Sequence, residues 1–405
     1  MKPILRAERM KPVHSDIRGP LYVEAMKRQK QGIDILKLNT GNPATFGFGL
    51  PDSIRNALME HMQDGVGYCD FKGMPQARQA ICDYETSKGI KGITPDDVFI
   101  GNGVSEVVSF ALTPLLNDGD EVLVPSPSYS LWGNSVYLED GKPVFYTCDE
   151  KAGWYPDIQD IRSKITDKTK AIVIINPNNP TGVLYPEEIL LEIIQVAREF
   201  GLLIFSDEIY DRLVMDGKQH ISLASLTEDV PVITLNGLSK SHCLCGYRCG
   251  WMVISGPREL TEDYRQGIIQ LTSLRLCANT MAQIVIPAAL DDMETPASMV
   301  RPGGRIYEQR EATVRELEKI DGLSFVKNDA AFYVFPKLDV KKFNITNDKQ
   351  FAHDLLDATN ILLVPGSGFD WKDPDHFRIV MLPQADVLSD AIRRMGTFLD
   401  GYKQK

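Results

Sequence analysis

The sequence contains no long apolar run and no signature of secretion. Nowhere do its 405 residues approach about eighteen consecutive apolar positions, which excludes a single transmembrane helix of ordinary length. The N-terminus, MKPILRAERMKP, has basic residues but no apolar segment after them, as a secretory signal would have. We therefore expect a cytoplasmic protein without membrane association.

Positive charge is also scarce. The chain has 44 Lys and Arg residues against 55 Asp and Glu residues, which gives a formal net charge of −11. General binding to nucleic acid needs a basic surface that replaces phosphate counterions, so we expect no nucleic-acid partner. Seven cysteines, an odd number without a secretion signal, indicate reduced thiols and no disulfide framework.

Short apolar runs between about residues 95 and 255 predict buried strands. They are rich in β-branched residues and bounded by Gly, Pro, Asn or Asp, and they lie at 98–100, 122–124, 171–175, 202–205 and 232–235. Between two of them, PEEILLEIIQVAREFG has helical apolar spacing, with Pro186 in the first turn and Gly201 just past the end. Strand, helix, strand in this order predicts an α/β domain with a mostly parallel sheet.

The C-terminal part predicts a smaller α+β domain. Strand-like runs at 323–326, 331–335, 361–364 and 377–381 alternate with helical stretches, and a last helix carries Leu388, Ile392, Met395 and Leu399 on one face. At 405 residues the chain exceeds what one hydrophobic core usually holds. We predict an N-terminal arm that joins the small domain (1–49), a large domain (50–290) and a C-terminal small domain (291–405).

Polar residues follow the predicted strands where each one ends. These ends read GNGVSE, PSPSY, NPNNPTG, SDEIY and NGLSK, and they carry Ser105, Tyr129, Asn179, Asp207, Tyr210 and Lys240. In an open parallel sheet the ligand crevice lies beyond the carboxyl ends of the strands, so these side chains are predicted to share one edge.

Three of these residues suggest covalent cofactor chemistry. A lone lysine is usually a solvated surface residue, but Lys240 follows a buried strand, and an amine there can form a Schiff base with a carbonyl. Asp207 could be a helix cap or half of an ion pair, yet a carboxylate directly after an apolar strand needs a partner, and a pyridinium nitrogen would be one. Tyr210 lies one helical turn further on and shares its face.

GNGVSEVVSFAL places a glycine-rich turn at the start of an apolar helix, where free N–H groups and the helix dipole can hold a phosphate. Glu106 stands where a dinucleotide fingerprint would have its third glycine, which disfavours a nicotinamide enzyme, and no Walker-type loop is present. The cluster His242, Cys243, Cys245 and Cys249 lacks the paired spacing of zinc ligands, so we predict no metal site.

Together these motifs resemble the fold-type I pyridoxal 5′-phosphate (PLP) enzymes, specifically class I and II aminotransferases. NPNNPTG, SDEIY, and SK followed by GYRCGW occur in the order and spacing of that family. DIRGP, LNTGNP, YCDFKG, IGNGVSE and LRLCAN are similar to bacterial glutamate–pyruvate (alanine) aminotransferases. The resemblance covers essentially the whole chain, and it implies a mostly parallel seven-stranded sheet flanked by helices and a homodimer with shared sites.

The resemblance also implies a role for each matching residue. Lys240 would hold PLP and shuttle a proton, Asp207 would keep the ring nitrogen protonated, Asn179 and Tyr210 would bind the ring oxygen, and Tyr129 would stack on the ring. The phosphate would be surrounded by Val104, Ser105, Ser239, Arg248 and, from a neighbouring subunit, Tyr68. We expect burial beside the cationic cofactor to lower the pKa of Lys240.

On the substrate side, Arg378 would clamp the α-carboxylate through a bidentate pair, with Gly41 offering its backbone. Alone, Arg378 would be an edge charge and Gly41 a turn glycine. Arg18 is a candidate for the distal carboxylate of glutamate or for an interface salt bridge. Ser15 departs from the tyrosine that these relatives carry before DIRGP, and this departure bears on pocket size. The family also implies cis bonds before Pro127 and Pro180.

The function we expect is ping-pong transfer of an amino group between a small amino acid, alanine in the first place, and a 2-oxo acid such as 2-oxoglutarate. The alternatives within the fold are a PLP-dependent β-lyase that cleaves carbon–sulfur bonds, a decarboxylase, or an aminotransferase with another amino-acid preference. A non-catalytic PLP-binding regulator would need an added DNA-binding segment, for which the fold leaves no room.

Overall fold

A computed structural model describes residues 2–405. Its fifteen strands, in chain order, are β1 (Leu36–Lys37), β2 (Val98–Asn102), β3 (Glu121–Ser126), β4 (Lys142–Asp149), β5 (Tyr155–Pro156), β6 (Thr169–Ile175), β7 (Leu203–Asp207), β8 (Val232–Gly237), β9 (Cys249–Ser255), β10 (Leu323–Ser324), β11 (Tyr333–Val334), β12 (Lys337–Leu338), β13 (Ile361–Leu362), β14 (Val364–Pro365) and β15 (Phe377–Val380).

The α-helices, with short 3₁₀ turns between some of them, are α1 (Pro20–Lys30), α2 (Asp52–His61), α3 (Pro75–Ser87), α4 (Val104–Leu112), α5 (Leu131–Leu138), α6 (Ile158–Lys164), α7 (Glu187–Phe200), α8 (Leu238–Ser241), α9 (Arg258–Arg275), α10 (Thr280–Ile284), α11 (Ile286–Asp291), α12 (Glu294–Val300), α13 (Arg305–Leu317), α14 (Val340–Phe343), α15 (Asp348–Thr359) and α16 (Ala385–Leu399).

The central sheet confirms the predicted α/β class. Its order is β2-β9-β8-β7-β6-β3-β4-β5, and the pairs from β8 through β4 are parallel. β9 runs antiparallel to both β2 and β8, so β2 points the same way as the parallel core. The sheet has eight strands where seven were expected, because the two-residue β5 adds an antiparallel edge beside β4. All five predicted strands are present; β4 and β9 had not been located in the sequence.

Alternate side chains of the central strands are buried on opposite faces of the sheet. On β6, Ile172 and Ile174 belong to a core with α6 and α7, whereas Val173 and Ile175 belong to a core with α4, α5 and α9. Strands buried on both faces read as continuous apolar runs, which is why they could be located without an alternating pattern.

Helix α7 forms where the apolar spacing placed it, with Pro186 just before its first residue and Gly201 at its end with φ 66°. A left-handed residue closes the helix at little cost when it is glycine.

The C-terminal part contains the small sheets. β11, β15 and β14 form an antiparallel three-stranded sheet, and the apolar face of α16 packs in a core with β15. β1 pairs in parallel with β13, which ties the N-terminal arm to this region. The division into 1–49, 50–290 and 291–405 stays a prediction, and this pairing supports it.

The two proline turns at the sheet edge differ in part from expectation. The Ser126–Pro127 bond is cis, as predicted, but the second cis bond precedes Pro177 and not Pro180. NPNNPTG contains two prolines, and its turn is closed by Gly182 N–H, which donates to the Asn178 carbonyl oxygen at 2.8 Å.

No single helix among residues 2–405 is long and apolar enough to cross a bilayer. Within this range, only α9 and the segment Thr280–Asp291 together have the length and apolar composition of a membrane span, and the chain bends by 119° between them.

Candidate active site

The carboxyl ends of the parallel strands meet at one edge of the sheet, as predicted. Ile175, Asp207 and Leu235 are register neighbours at the ends of β6, β7 and β8. Beyond these positions the chain continues into the segments that carry Asn179, Tyr210 and Lys240. The candidate site is built on this edge and on the segments that cover it.

Asp207 is a buried carboxylate without a cationic partner. Trp132 on α5 donates from Nε1 to its Oδ2 at 3.1 Å, and the Ile209 N–H donates to Oδ1 at 3.3 Å. Burial raises the pKa of Asp207 from 3.8 to about 6, while the two hydrogen bonds and the charge of Lys240, which lies beyond salt-bridge distance, act to lower it. Trp132 was not identified from the sequence, although it lies only three residues past Tyr129 in the same strand-end segment.

Lys240 follows β8 within the short helix α8, and its Nζ donates to the carbonyl oxygen of Gly41 at 2.9 Å. No carboxylate of residues 2–405 lies within 4 Å of this amine. Burial acts to lower the pKa of Lys240, but Tyr333, Cys245 and Tyr129 outweigh it, and the pKa lies above its usual value. The expected lowering is therefore not produced by the protein's own groups; a bound cationic ring would have to supply it.

Tyr210 is joined to a residue that the sequence did not reveal. Its hydroxyl lies 2.8 Å from the hydroxyl of Tyr333, and both side chains are buried. Tyr333 is on β11, beside the strand that carries Arg378. Alternation along the predicted strand could have placed Tyr333 on a defined face, but not next to Tyr210.

Arg378 is fully buried and has no acidic partner. It donates to Asn179 Oδ1 at 2.9 Å and to the carbonyl of Asn39, and its guanidinium lies 4.5 Å from the ring centroid of Tyr333. Its Nε is buried with no hydrogen-bond partner. Burial lowers the pKa of Arg378 from its usual value. An unpaired buried guanidinium with a free N–H is suited to bind an anion of matching geometry.

Gly41 leaves room that any side chain would fill. A Cβ at this position would lie 2.2 Å from the hydroxyl oxygen of Tyr333 and 2.9 Å from Phe332. The backbone carbonyl that receives Lys240 can therefore approach the site only because residue 41 has no side chain.

A cradle for an anion forms where β2 leads into α4. Gly103 has φ 83°, and a Cβ there would lie 2.3 Å from a guanidinium nitrogen of Arg248. Arg248 donates to the carbonyl of Cys245 at 3.0 Å and is not paired with an acid. Val104 and Ser105 open the nine-residue helix α4, whose first N–H groups face this turn. Ser239 and Tyr129 lie on the segments that follow β8 and β3, both half-buried.

Glu106 has a local role that explains why it replaces a glycine in this turn. Its Oε2 accepts the backbone N–H of Asn102 at 2.7 Å, and it also pairs with Arg275. The turn is thus stabilised by a carboxylate, unlike a dinucleotide-binding turn.

Two predicted residues are not brought into the site within this chain. Arg18 is exposed, and Tyr68 is 84% exposed. The segment before Arg18 is nevertheless fixed: His14 Nε2 lies 3.0 Å from Oδ1 of Asp370, and Asn39 donates to the carbonyl of Ile17 at 2.8 Å. The backbone carbonyl of Asn39 also accepts a hydrogen bond from Arg378, so this residue connects the N-terminal segment to the arginine.

The His242–Cys249 stretch is occupied by local contacts. His242 uses its ring nitrogens on the Ser241 hydroxyl and the Asp292 carbonyl, and burial lowers its pKa to about 4. Burial raises the pKa of Cys243 and of Cys249 to about 12. These side chains do not converge on one point that a metal could occupy.

The donor set of the site fits PLP. An unpaired amine, a buried carboxylate without a cation, and an arginine beside a helix N-terminus match an aldehyde, a pyridinium nitrogen and a phosphate respectively. The orphaned Nε of Arg378 fits the carboxylate of an amino acid.

Comparison with known protein sequences finds one family along nearly the whole chain. Residues 33–394 match the family model of aminotransferase class I and II. The chain is 48% identical over 404 residues to the glutamate-pyruvate aminotransferase AlaA of Haemophilus influenzae, covering 100% of both chains. It is 45% identical over 400 residues to the alanine aminotransferase of Mycobacterium tuberculosis, covering 98% of this chain and 93% of that one.

Solved structures agree with the sequence comparison. An aminotransferase from Escherichia coli superposes with a TM-score of 0.98 at 46% identity, covering 100% of both chains. The alanine aminotransferase of Pyrococcus furiosus superposes with a TM-score of 0.93 at 40% identity, covering 98% of this chain and 100% of that one.

Proposed function

Because the chain belongs to the class I and II aminotransferases, we propose that it transfers an amino group between alanine and 2-oxoglutarate, with PLP attached to Lys240. The relatives named as glutamate-pyruvate and alanine aminotransferases, at 45–48% identity, support this substrate pair. Neither of these relatives is named as the carbon–sulfur lyase that the sequence left open.

One observation carries the proposal: Lys240 has no carboxylate partner, and Asp207 has no cation partner, at the ends of adjacent strands. Burial makes the charge of Asp207 costly, and no acid occupies the Lys240 amine, so the carboxylate and the amine are both available to a ligand. The aldehyde of PLP would take up the amine, and its ring nitrogen would face the carboxylate.

The remaining cofactor contacts follow from the edge geometry. The helix-start residues Val104 and Ser105, together with Ser239 and Arg248, would hold the phosphate. Tyr129 would stack on the ring, and Asn179 and Tyr210 would donate to its oxygen. When bound, PLP supplies the electron-withdrawing ring that makes the α-proton of the amino acid acidic.

The protein's residues then orient the substrate and move its proton. Arg378 would bind the α-carboxylate with its free Nε–H and one terminal N–H, and Gly41 and Asn179 would complete that contact. Lys240, displaced from the cofactor, has its Nζ beside Gly41, which places it next to the bound amino acid. From this position Nζ would take the α-proton and return it to the cofactor side.

We also propose a homodimer in which Tyr68 of one subunit reaches the phosphate of the other. Its exposure, and the nearby exposed apolar side chains Met59, Met62 and Val66, support a contact surface there. Arg18 would bind the distal carboxylate of glutamate or pair across the same interface. Light scattering at micromolar concentration should give twice the 45.3 kDa chain mass; a monomer with full activity would refute the shared site.

The decisive experiment uses the purified protein and single amino acids. Alanine and glutamate should each change the visible absorption of the bound cofactor, and alanine with 2-oxoglutarate should give pyruvate and glutamate. Lys240→Ala should lose both the visible band and turnover. Transamination retained in that variant would refute the proposal, and pyruvate released with ammonia in the absence of a 2-oxo acid would identify a lyase.

A further inference from the structure

A cluster of buried charges lies behind the candidate site and has no role in the proposed function. Lys88, the residue after α3, has its Nζ 2.7 Å from Oε2 of Glu85, 2.7 Å from Oε2 of Glu208 and 3.2 Å from Oδ2 of Asp211. The side chains of Glu85 and Glu208 are completely inaccessible to solvent. Three carboxylates therefore share one ammonium group in the protein interior.

Lys88 is the only Lys or Arg of residues 2–405 whose side chain lies within 4 Å of these three carboxylates. The other donors are uncharged: they are the indole of Trp251, the hydroxyls of Ser206, Ser222 and Tyr84, the side-chain amide of Asn236 and the backbone N–H of Leu223.

Two further titratable groups border the cluster without taking the place of Lys88. The Nε2 atom of His220 lies 3.9 Å from Oε2 of Glu208 and 3.1 Å from the carbonyl oxygen of Asn176, and burial lowers the pKa of His220. The guanidinium of Arg212 stacks on Tyr84 and donates to the carbonyls of Ala289 and Leu290. Glu208, Asp211 and His220 are close enough to surround a metal ion, but the ammonium of Lys88 already lies against both carboxylates.

The cluster is directly connected to the site through the chain. Within the segment from 207 to 211, Asp207 and Tyr210 face the site, whereas Glu208 and Asp211 face Lys88. Asn236, which donates to Asp211 at 2.7 Å, lies only four residues before Lys240. Lys88 thus contacts the segment 207–211 directly and the segment 236–240 through Asp211, on the side of each segment that faces away from the site.

We propose that Lys88 is a positioning residue for this site: it holds Glu208 and Asp211 and offsets their charge, so that Asp207, Tyr210 and Lys240 keep their places around the cofactor. This inference rests on the proposed function, because it assigns Lys88 a role toward the PLP-binding groups. The charge behind the site reaches Asp207, since Glu208 adds to burial in raising the pKa of that carboxyl.

The test is the pH midpoint of the visible absorption change of the PLP-loaded protein, in two variants of opposite sign. Lys88→Met removes a positive charge behind the site, which favours the protonated form of the cofactor's nitrogen link, so the midpoint should rise by about half a pH unit or more. Asp211→Asn removes a negative charge and keeps an oxygen acceptor for Tyr84 and Asn236, so the midpoint should fall. PLP affinity of the cofactor-free protein should decrease about tenfold in Lys88→Met.

Lys91→Met is the matched control, because Lys91 lies three residues further on and forms an exposed pair with Glu228; it should behave like wild type. If Lys88→Met does not fold, as judged by circular dichroism, Asp211→Asn decides. A folded variant with a lower thermal midpoint but an unmoved absorption midpoint would mean a merely structural role and would overturn the inference. Absence of a visible band in the wild-type protein would instead refute the proposed function.

Discussion

Replacement of Asp207 by Asn should stabilise the cofactor-free protein while it removes activity. The pKa of Asp207 is raised by burial from 3.8 to about 6. A carboxyl that binds its proton more tightly in the folded state contributes stability that is complete below pH 3.8 and is lost as the pH rises through about 6. Each pH unit between the two pKa values corresponds to about 1.4 kcal/mol, so above pH 6 the ionised carboxylate opposes folding by up to about 3 kcal/mol.

The uncharged amide of Asp207→Asn removes most, but not all, of the free-energy cost of the buried carboxylate. Asp207 accepts from Trp132 on one oxygen and from the Ile209 N–H on the other, and an amide has only one oxygen. One donor is left unpaired at a cost of about 1 kcal/mol. We therefore expect Asp207→Asn to be more stable than wild type by about 2 kcal/mol at pH 8 and to show no advantage at pH 3.5.

Asp211, four residues further on, provides a contrast of opposite sign. Although burial acts to raise its pKa, Lys88 and His220 lead the contributions that lower it, and the pKa of Asp211 lies below its usual value. A depressed pKa contributes stability that is present above pH 3.8 and lost as the pH falls below it. Asp211→Asn should therefore be less stable than wild type at pH 8, by about 1.5 kcal/mol for the weakened contact with the Lys88 ammonium, which keeps Glu85 and Glu208 as partners.

The assay is urea unfolding of the cofactor-free variants, followed by circular dichroism between pH 3.5 and 8. Asp207→Asn should also bind PLP weakly and turn over alanine at least about a hundredfold more slowly, because the ring nitrogen loses its carboxylate. If Asp207→Asn and Asp211→Asn shifted the urea midpoint in the same direction at pH 8, the assignment of an uncompensated charge to Asp207 would be wrong.

Three further predictions concern residues around the site. Trp132→Phe should weaken PLP binding about tenfold by removing a donor to a charged acceptor, whereas Trp371→Phe, which loses the same kind of bond to a carboxylate elsewhere, should not; equal affinities in the two variants would contradict this. Gly41→Ala should reduce kcat/KM for alanine about a hundredfold in a folded protein, since the methyl group displaces the pocket wall. The pKa of His14 is raised to about 9 by the carboxylates of Asp16 and Asp370, and a third of its side chain is exposed, so His14→Gln should cost about 1 kcal/mol below pH 6.5 and nothing above pH 9. A pH-independent difference in urea midpoint would exclude the charged pair.

The sequence predicted the parts of the fold that depend on local pattern. Five strands buried on both faces, α7 with its flanking Pro186 and Gly201, and the apolar face of α16 all follow from the order of neighbouring residues. β4 was missed because polar and apolar residues mix along it, and its burial changes from position to position. The prediction that the second cis bond precedes Pro180 was wrong, because NPNNPTG contains two prolines with similar local sequence.

The rest of the site depends on contacts between distant parts of the chain. Trp132 and Asp207 are 75 residues apart, Tyr210 and Tyr333 are 123 apart, and Gly41 and Lys240 are 199 apart. No spacing rule connects such pairs, because the register of strands and the packing of helices decide them. Motifs could therefore identify which side chains carry the chemistry, but not which distant residues contact them and shift their pKa values.

Two neighbouring acids, Asp207 and Glu208, show what the fold adds to the sequence in identifying functional residues. In the sequence, Asp207 and Glu208 are adjacent acids after the same apolar strand, and local pattern treats them alike. In the fold, Glu208 has a lysine at 2.7 Å and two hydroxyl donors, whereas Asp207 has only neutral donors. A buried charge that the protein leaves uncompensated raises the free energy of the folded chain, and only a ligand that completes it returns that free energy as binding. The lack of a partner, more than the residue type, thus separates the acid that binds from the acid that supports.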